Sequence, residues 1–533
     1  MTPCSLGIEF STQSVKLVAL DLEKGDVRFS GSFNYDSEFP EYNTQGGVLP
    51  SGSPEVRQTS PVMLTEAIDL AFKRLTESGI DPAAVKAIKA DGMQHCTVYV
   101  DSRFEKVISS LDPEKRLAEQ IRETVSRPVS PIWEDRSTEN EARYLACMLE
   151  PAGGISGLTG NRAELRFPAS QILKWAKEKP GEFADTSNIF ILSAFVTSIL
   201  TGRISPVDTG DGWGSNLNSL DIDNPGWSKE VTDVMDLCLK EAGINGPVYD
   251  KLGYMGHYDS AAGIINPYFR KKYGIAPDTV ILTGTGDNPA TLLGCGGNIV
   301  VSLGSSYTVN GVMGRITPSE TGEYNVFGYT KGKAMALSVI TNGGKVQDHF
   351  LKKYLLKSED KTPENADWPE YMKLAGDRLL SPDESLLLPY LFDESVPLKK
   401  RGIVRDGFSE ENAGQNIRAL ILSQVLSMKL HSDHLGDVKD LCVVGGGAAN
   451  SLMMQWISDA FNAETYTIAT PSVAAPAGCA ISAAVTALGI SYEEAAAKFV
   501  KKDTSTVRKP IPENVKIMQG LAMRYKNLEN KTG

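Results

Sequence analysis

Several residue patterns are missing from this chain, and each absence closes off a class of function. Cysteine is sparse: seven residues in 533, far apart and never in a CxxC pair, which argues against a zinc site and against a disulfide framework. The thiols are therefore expected to be reduced. Basic charge is short as well. With 54 Lys and Arg against 66 Asp and Glu, the formal charge is −12, so no general surplus exists to neutralise the phosphates of nucleic acid or an anionic membrane. Neither partner is expected. No segment is expected to span a bilayer, and the opening "MTPCSLGIEFSTQS" has no basic stretch followed by an apolar run and a small-residue cleavage site, so a cytoplasmic location is expected. The GxGxxG fingerprint is absent too; "VVGGGAANSLMMQW" is a strand, a glycine run and a helix, but not a dinucleotide site.

What is present is the composition of a folded enzyme-sized chain: 41% hydrophobic residues, 23% charged residues and 49 dispersed glycines. At this length one core does not suffice, so two domains and a cleft between them are expected. An anionic ligand would have to be held locally, by backbone N–H groups, a divalent cation or a few placed Arg and Lys.

Two stretches share a shape. "LGIEF", "STQ" and "SVKLVAL" read as strand, turn and strand; "IVVSL", "GSS" and "YTVNGV" repeat the plan from residue 299. Each opens one half. The first half continues with the helical run "VMLTEAIDLAFKRLTESG", whose core side carries Met63, Ile68, Leu70, Ala71 and Leu75, and then the strand "VKAIKADGM". The second continues with a helix holding Ile417, Ile421 and Val425 in one row, then the strand, glycine turn and helix of residues 440–461. Two α/β halves follow, with a boundary in "RKKYGIAPDT" that divides 1–276 from 277–533. Residues 315–375 are polar and read as partly looped.

Small residues in a hairpin turn let backbone N–H groups approach phosphate oxygens. Thr12 in the first turn and Gly304, Ser305 and Ser306 in the second are thus candidate phosphate clamps. Glu9 sits within an apolar strand, where a carboxylate is costly unless it is paired, faces a cation, or points into water from an edge; magnesium and its waters are one reading, an exposed edge the other. In "VILTGTGDNPATLL" Pro289 is expected as the first helical residue and Asn288 as its N-cap, which leaves Asp287 at the mouth of the turn. Asp287 is either a helix cap or a general base kept ionised by the helix N-terminus. His95 is structural or catalytic. His431 and His434 are expected on a helix surface. Arg162 and Arg166 are candidates for local positive charge, one of them free to pair with Glu164. Gly445, Gly446 and Gly447 admit a flat ring or a phosphate, or simply allow tight packing, and Asn450 stands within reach of a purine or ribose.

The motifs "LGIEFSTQSVKLVALD", "MQHCTVYVD", "PIWEDRS", "RFPASQILKW", "TGDNPA", "VSLGSSYTVNG", "LPYLFDESVP" and "VVGGGAANSLMMQW" resemble, in order and spacing, those of the FGGY carbohydrate kinases over nearly the whole chain. The "STQS" opening with "QH" is most similar to the eukaryotic-type members that act on D-xylulose. The resemblance implies an α/β, two-domain actin-like ATPase fold with a ribonuclease H-like core in each domain: an N-terminal sugar-binding domain and a C-terminal ATP-binding domain. It implies Asp287 as catalytic base, His95, Arg166, Asp287 and Asn288 as contacts to an open-chain ketose, the 304–306 turn on phosphate, and Gly445, Gly446 and Asn450 at adenosine, with Trp368 lining the adenine site. ATP and Mg²⁺ are the implied cofactors, and D-xylulose the implied acceptor. A monomer and a homodimer are both compatible with it. Two departures stand out: Glu9 and Ser11 occupy positions where the family normally has Asp and Gly. Ser305 for the more usual Thr is milder. Rival readings are a kinase of ribulose, gluconate or glycerol, since pocket shape decides the acceptor, and an actin- or chaperone-like nucleotide switch without a sugar.

Overall fold

The computed structural model describes residues 2–436 and 438–531. Its first sheet begins with the hairpin β1 (Cys4–Phe10) and β2 (Ser14–Asp21), followed by β3 (Val27–Asn34). Both faces of β1 are buried, Ser5 and Glu9 included, whereas β3 alternates and lies at the edge. The helix α1 (Pro61–Glu77) starts at Ser60, whose hydroxyl accepts from the Met63 N–H, with Pro61 in the first turn. Met63, Ile68, Leu70, Ala71 and Leu75 are all buried. The sheet continues with β4 (Val85–Gly92), β5 (Ala261–Ile264), β6 (Val280–Leu282) and β7 (Thr285–Gly286). Its order is β5-β6-β4-β1-β2-β3, with β7 extending the pairing along β4.

A helix, α2 (Asp287–Gly294), leads from that sheet into the second one. The second sheet is built from β8 (Ile299–Leu303), β9 (Tyr307–Val312), β10 (Asn325–Tyr329), β11 (Lys333–Ile340), β12 (Asp440–Val444), β13 (Glu464–Ile468) and β14 (Lys502–Arg508). Its order is β10-β11-β9-β8-β12-β13-β14. In each sheet an antiparallel meander is flanked, on the side of its first strand, by two further parallel strands: β3-β2-β1 with β4 and β6, and β11-β9-β8 with β12 and β13. One plan occurs twice, as a ribonuclease H-like core in each lobe would require. Between β11 and β14 lie α3 (Gly344–Leu351), α4 (Asp367–Ala375), α5 (Ala413–Leu430), α6 (Ser451–Phe461) and α7 (Ala474–Leu488). In α5, Ile417, Ile421 and Val425 are buried as their row implied.

Several expectations are corrected. The division at 276/277 falls inside the first sheet, because β6 and β7 hydrogen-bond to β4; the chain changes sheets through α2. The 315–375 stretch is partly looped, as expected, at 315–324 and 357–366, and between and after these it holds two strands and two helices. Residues 471–488 are long and apolar enough to cross a membrane by length and composition, against the expectation that none is. They form the core helix instead: α7 packs against β1, β2, β4 and α2. His431 and His434 lie beyond α5 rather than on it, and His431 is enclosed between Glu323 and Glu529, at 3.5 and 3.1 Å. Against the opposition of burial, those two carboxylates raise its pKa to about 9.

Helices α2 and α7 meet with almost no side chain between them. A Cβ on Gly294 would lie 1.9 Å from the Ala474 carbonyl oxygen, one on Gly478 1.9 Å from that of Ala290, and one on Gly7 of β1 1.8 Å from that of Pro476. These contacts are backbone on backbone, so a methyl group has no flexible neighbour to displace. Gly478→Ala is expected to lower stability by about 1–3 kcal/mol, seen as a lower denaturant midpoint. Gly181→Ala, whose methyl meets nothing within 4 Å, is the control that keeps the midpoint or raises it.

Candidate active site

The carboxyl ends of β1, β4 and β7 lie side by side. Gly286 is in register with Gly92, Phe10 pairs with Gly92 from the other side, and the Met93 N–H donates to the Phe10 carbonyl. From this edge three groups emerge: the Ser11–Gln13 turn, the "MQH" segment and the start of α2. Asp287 is the first residue of α2, with Gly286 as N-cap; the expected start at Pro289, with Asn288 capping, is two residues too late. The slim turn is enforced from outside, since a Cβ on Gly286 would meet the Gln94 side chain at 2.6 Å.

Gln94, which sequence reasoning passed over, ties the "MQH" segment to the start of α2 and to Gly210. Its amide donates to the Gly210 carbonyl (3.1 Å), and its oxygen accepts from the Asn288 amide (2.7 Å), which also donates to Asp287 Oδ1 (2.9 Å). Its only signal was adjacency to His95. His95 is buried, has φ +70°, and stacks on Phe167 with ring centroids 4.3 Å apart. Its Nδ1 stands 2.7 Å from the Gly214 carbonyl oxygen. A carbonyl only accepts, so Nδ1 carries the hydrogen and Nε2 is left as an acceptor. Burial, with the Arg166 charge second, lowers the His95 pKa to about 3, which keeps the ring neutral. Arg166 is partly exposed and donates to Asn325 Oδ1 at 3.1 Å. Arg162 pairs instead with Glu164, at 2.9 Å.

Three acids meet here. Glu9 is in register with Asp91 across β1 and β4, and Asp287 interacts electrostatically with both. Glu9 is 6% exposed and central in its sheet, which removes the edge reading; both of its oxygens lie 3.1 Å from the Lys16 ammonium. Burial outweighs that pairing and raises the Glu9 pKa. Asp91, another residue missed in the sequence, is fully buried; its Oδ2 accepts from the Cys479 thiol (3.2 Å), its Oδ1 has no hydrogen-bond partner among the described residues, and burial, then Glu9 and Asp287, push its pKa well up. For Asp287 the side chain itself is partly open, yet the surrounding protein dominates: burial first, the Glu9 charge second, raise its pKa to about 7. The helix N-terminus therefore does not hold it fully ionised, as its position alone suggested, because the burial around it outweighs the first-turn dipole. Among the described residues no group of three His, Cys, Asp or Glu is arranged to hold a metal, and Glu9 already has a resident cation.

The second sheet presents a matching edge. Gly304–Ser306 follows β8, Gly445–Gly447 follows β12, and the two strands are parallel neighbours. A Cβ on Gly445 (φ +88°) would strike the Leu303 carbonyl at 2.8 Å, and one on Gly447 the Leu303 side chain at 2.7 Å, whereas one on Gly446 would meet nothing. Packing thus explains two of the three glycines, and Gly446 faces open space. The start of α3 closes on the turn, with the Gly344 and Lys345 N–H groups donating to the Gly304 and Ser305 carbonyls at 3.0 and 3.1 Å. Asn450 caps α6, accepting from the Met453 N–H (3.1 Å), and its amide lies 3.1 Å from the Met372 sulfur. Trp368 stands one turn before Met372 on α4, which brings it to the same side as Asn450. In the first turn, Thr12 Oγ1 accepts from the Trp133 indole N–H at 3.0 Å.

Residues 299–487 match the model of the C-terminal domain of the FGGY family of carbohydrate kinases. The xylulose kinase of Rattus norvegicus is 30% identical over 545 residues, covering 99% of this chain and 97% of the relative. Among solved structures, xylulose kinase from Rhodospirillum rubrum superposes with a TM-score of 0.79 at 16% identity (99% and 98% of the chains), and gluconate kinase from Lactobacillus acidophilus with 0.76 at 18% (100% and 98%). The two-lobed fold is that of the sugar kinases in the actin-like class.

The elevated Asp287 pKa is checked by differential proton titration of the wild type against Asp287→Asn. The difference curve is expected to have its midpoint near 7. Glu9→Gln removes a neighbouring negative charge, so the midpoint should move down; a shift upward contradicts the assigned cause.

Proposed function

Because the chain belongs to the FGGY family of carbohydrate kinases, we propose that it transfers the γ-phosphoryl group of ATP to the terminal hydroxyl of D-xylulose, giving D-xylulose 5-phosphate. The observation that carries the reading is Asp287: a carboxylate at the first residue of α2, partly open, braced by Asn288 and tuned to about 7. A base is most useful when its pKa lies near the working pH. Names of relatives support the acceptor, since the rat and Rhodospirillum rubrum proteins are xylulose kinases.

Asp287 accepts the proton of the acceptor hydroxyl as that oxygen attacks the γ-phosphorus; the bond to the bridging oxygen breaks, and ADP leaves with the electron pair. Positioning dominates such a transfer. The His95 Nε2 lone pair accepts from a sugar hydroxyl, Asn288 holds a neighbouring one, and the Arg166 guanidinium donates to another. The Ser11–Gln13 and Gly304–Ser306 turns face the triphosphate from the two lobes, and Gly446, Asn450 and Trp368 take the adenosine. The family uses ATP, generally with Mg²⁺, which when bound would offset charge on the phosphates; the Glu9 carboxylate is engaged by Lys16. Closure of the lobes excludes water, so hydrolysis does not compete.

The likeness to a gluconate kinase at TM-score 0.76 favours one second reading, another sugar or polyol as acceptor. A panel of sugars in a coupled ADP assay separates the two: D-xylulose is expected to give the highest kcat/KM, and ADP formation with gluconate, ribulose or glycerol but not with D-xylulose contradicts the assignment. Asp287→Asn should cost about 10²–10⁴ in kcat with the fold intact. Below pH 7, kcat/KM of the wild type should fall about tenfold per pH unit as the base is protonated; a flat profile between pH 5 and 7 removes Asp287 from this role.

A further inference from the structure

Strand β10 belongs to the second sheet but closes the site of the first. It is the edge strand there, paired only with β11, and an edge leaves backbone groups in need of partners. Asn161, fully buried in the first lobe, supplies them: its amide donates to the Val326 carbonyl (3.0 Å), and its oxygen accepts from the Val326 N–H (2.7 Å). The remaining amide hydrogen of Asn161 goes to the Trp213 carbonyl (3.0 Å), which fixes the same residue to the segment whose Gly214 holds His95.

Side chains two apart on a strand share a face. Asn325, Phe327 and Tyr329 therefore point the same way, and all three meet the first lobe. Tyr329 lies 5.7 Å from Tyr258. The Phe327 ring is 6.3 Å from His95, and a Cβ on Gly214 would be 3.0 Å from both rings. Asn325, 6% exposed, accepts from Arg166 Nη2 at 3.1 Å and donates to Asn161 Oδ1 at 3.3 Å. Arg166 itself is partly exposed, and in the proposed reaction its guanidinium donates to the sugar.

We propose that Asn325, a residue of the nucleotide-side lobe, is the positioning residue for Arg166, so that the acceptor pocket is complete only when β10 is seated against the first lobe. The inference rests on the sugar-kinase reading of the site. An arginine side chain has many rotamers, and without an acceptor for its guanidinium the free-energy cost of ordering it falls on sugar binding. Asn325 removes that cost beforehand. The acceptor, not ATP, should feel its loss.

The test compares Asn325→Leu, which keeps the branched four-atom side chain but removes both of its hydrogen bonds, with Asn325→Asp, which keeps the acceptor for Arg166 and loses only the donor to Asn161. Asn325→Leu should raise KM for the sugar by about tenfold to a hundredfold, as expected for a hydrogen bond to a charged group, while KM for ATP stays within about twofold and kcat within about threefold. Asn325→Asp should keep the sugar KM within about threefold of wild type. Unchanged sugar KM in a folded Asn325→Leu enzyme overturns the proposal, as does equal damage from both variants or a parallel rise in KM for ATP, since either marks a merely structural role. Should the leucine variant fail to fold, Asn325→Ala is read in the same way. A wild type that forms no ADP with any sugar overturns the kinase reading and this proposal together, whereas the variant outcomes overturn the proposal alone.

Discussion

The contact on which the rest depends is the crossing of α2 and α7 with backbone against backbone. Gly294 and Gly478 leave no room for a methyl group between the helices, and Gly7 lets α7 settle on β1. Because α2 starts at Asp287 and α7 belongs to the second lobe, this one crossing fixes the carboxylate against both lobes at once. Polar side chains at the crossing would blur that position. Small residues make it rigid, since close-packed backbone has little freedom to shift.

Around this crossing the charges are arranged against solvation rather than by simple pairing. Glu9 and Asp91 are register partners on adjacent strands, and Lys16 donates to Glu9. Burial therefore governs all three acids, and the Glu9 charge adds to the upward shift of Asp287. A carboxylate poised near neutrality follows from a low-dielectric wall on one side and a partly open face on the other. Burial acts likewise on His95, kept neutral by burial and by Arg166.

The hairpins at residues 4–21 and 299–312 were legible from β-branched strands flanking small polar turns, as were α1 and α5 from their apolar rows. Their duplication made the two-lobed plan readable. The lobe boundary was not, because β6 and β7 look in sequence like the opening of the second half and are claimed for the first sheet only by pairing with β4. Gln94 and Asp91 escaped notice for a related reason: each matters through partners more than 100 residues away, Asn288 and Gly210 for the one and Cys479 for the other. Asn325 lay in a stretch read only as polar and partly looped, with no strand assigned, though it forms an edge strand held by Asn161. Charge balance at Asp287 was misjudged because a helix N-terminus can be seen in sequence and the burial around it cannot.

In the proposed reaction one carboxylate reaches the acceptor alcohol while two turns, one per lobe, hold a single triphosphate. A crystal structure with the sugar and a non-hydrolysable ATP analogue measures this directly. The predicted result is an Asp287 oxygen within about 2.6–3.2 Å of the terminal hydroxyl, with the phosphates between residues 11–13 and 304–306. A sugar bound with its terminal hydroxyl turned away from Asp287, or phosphates touching only one of the two turns, would contradict it.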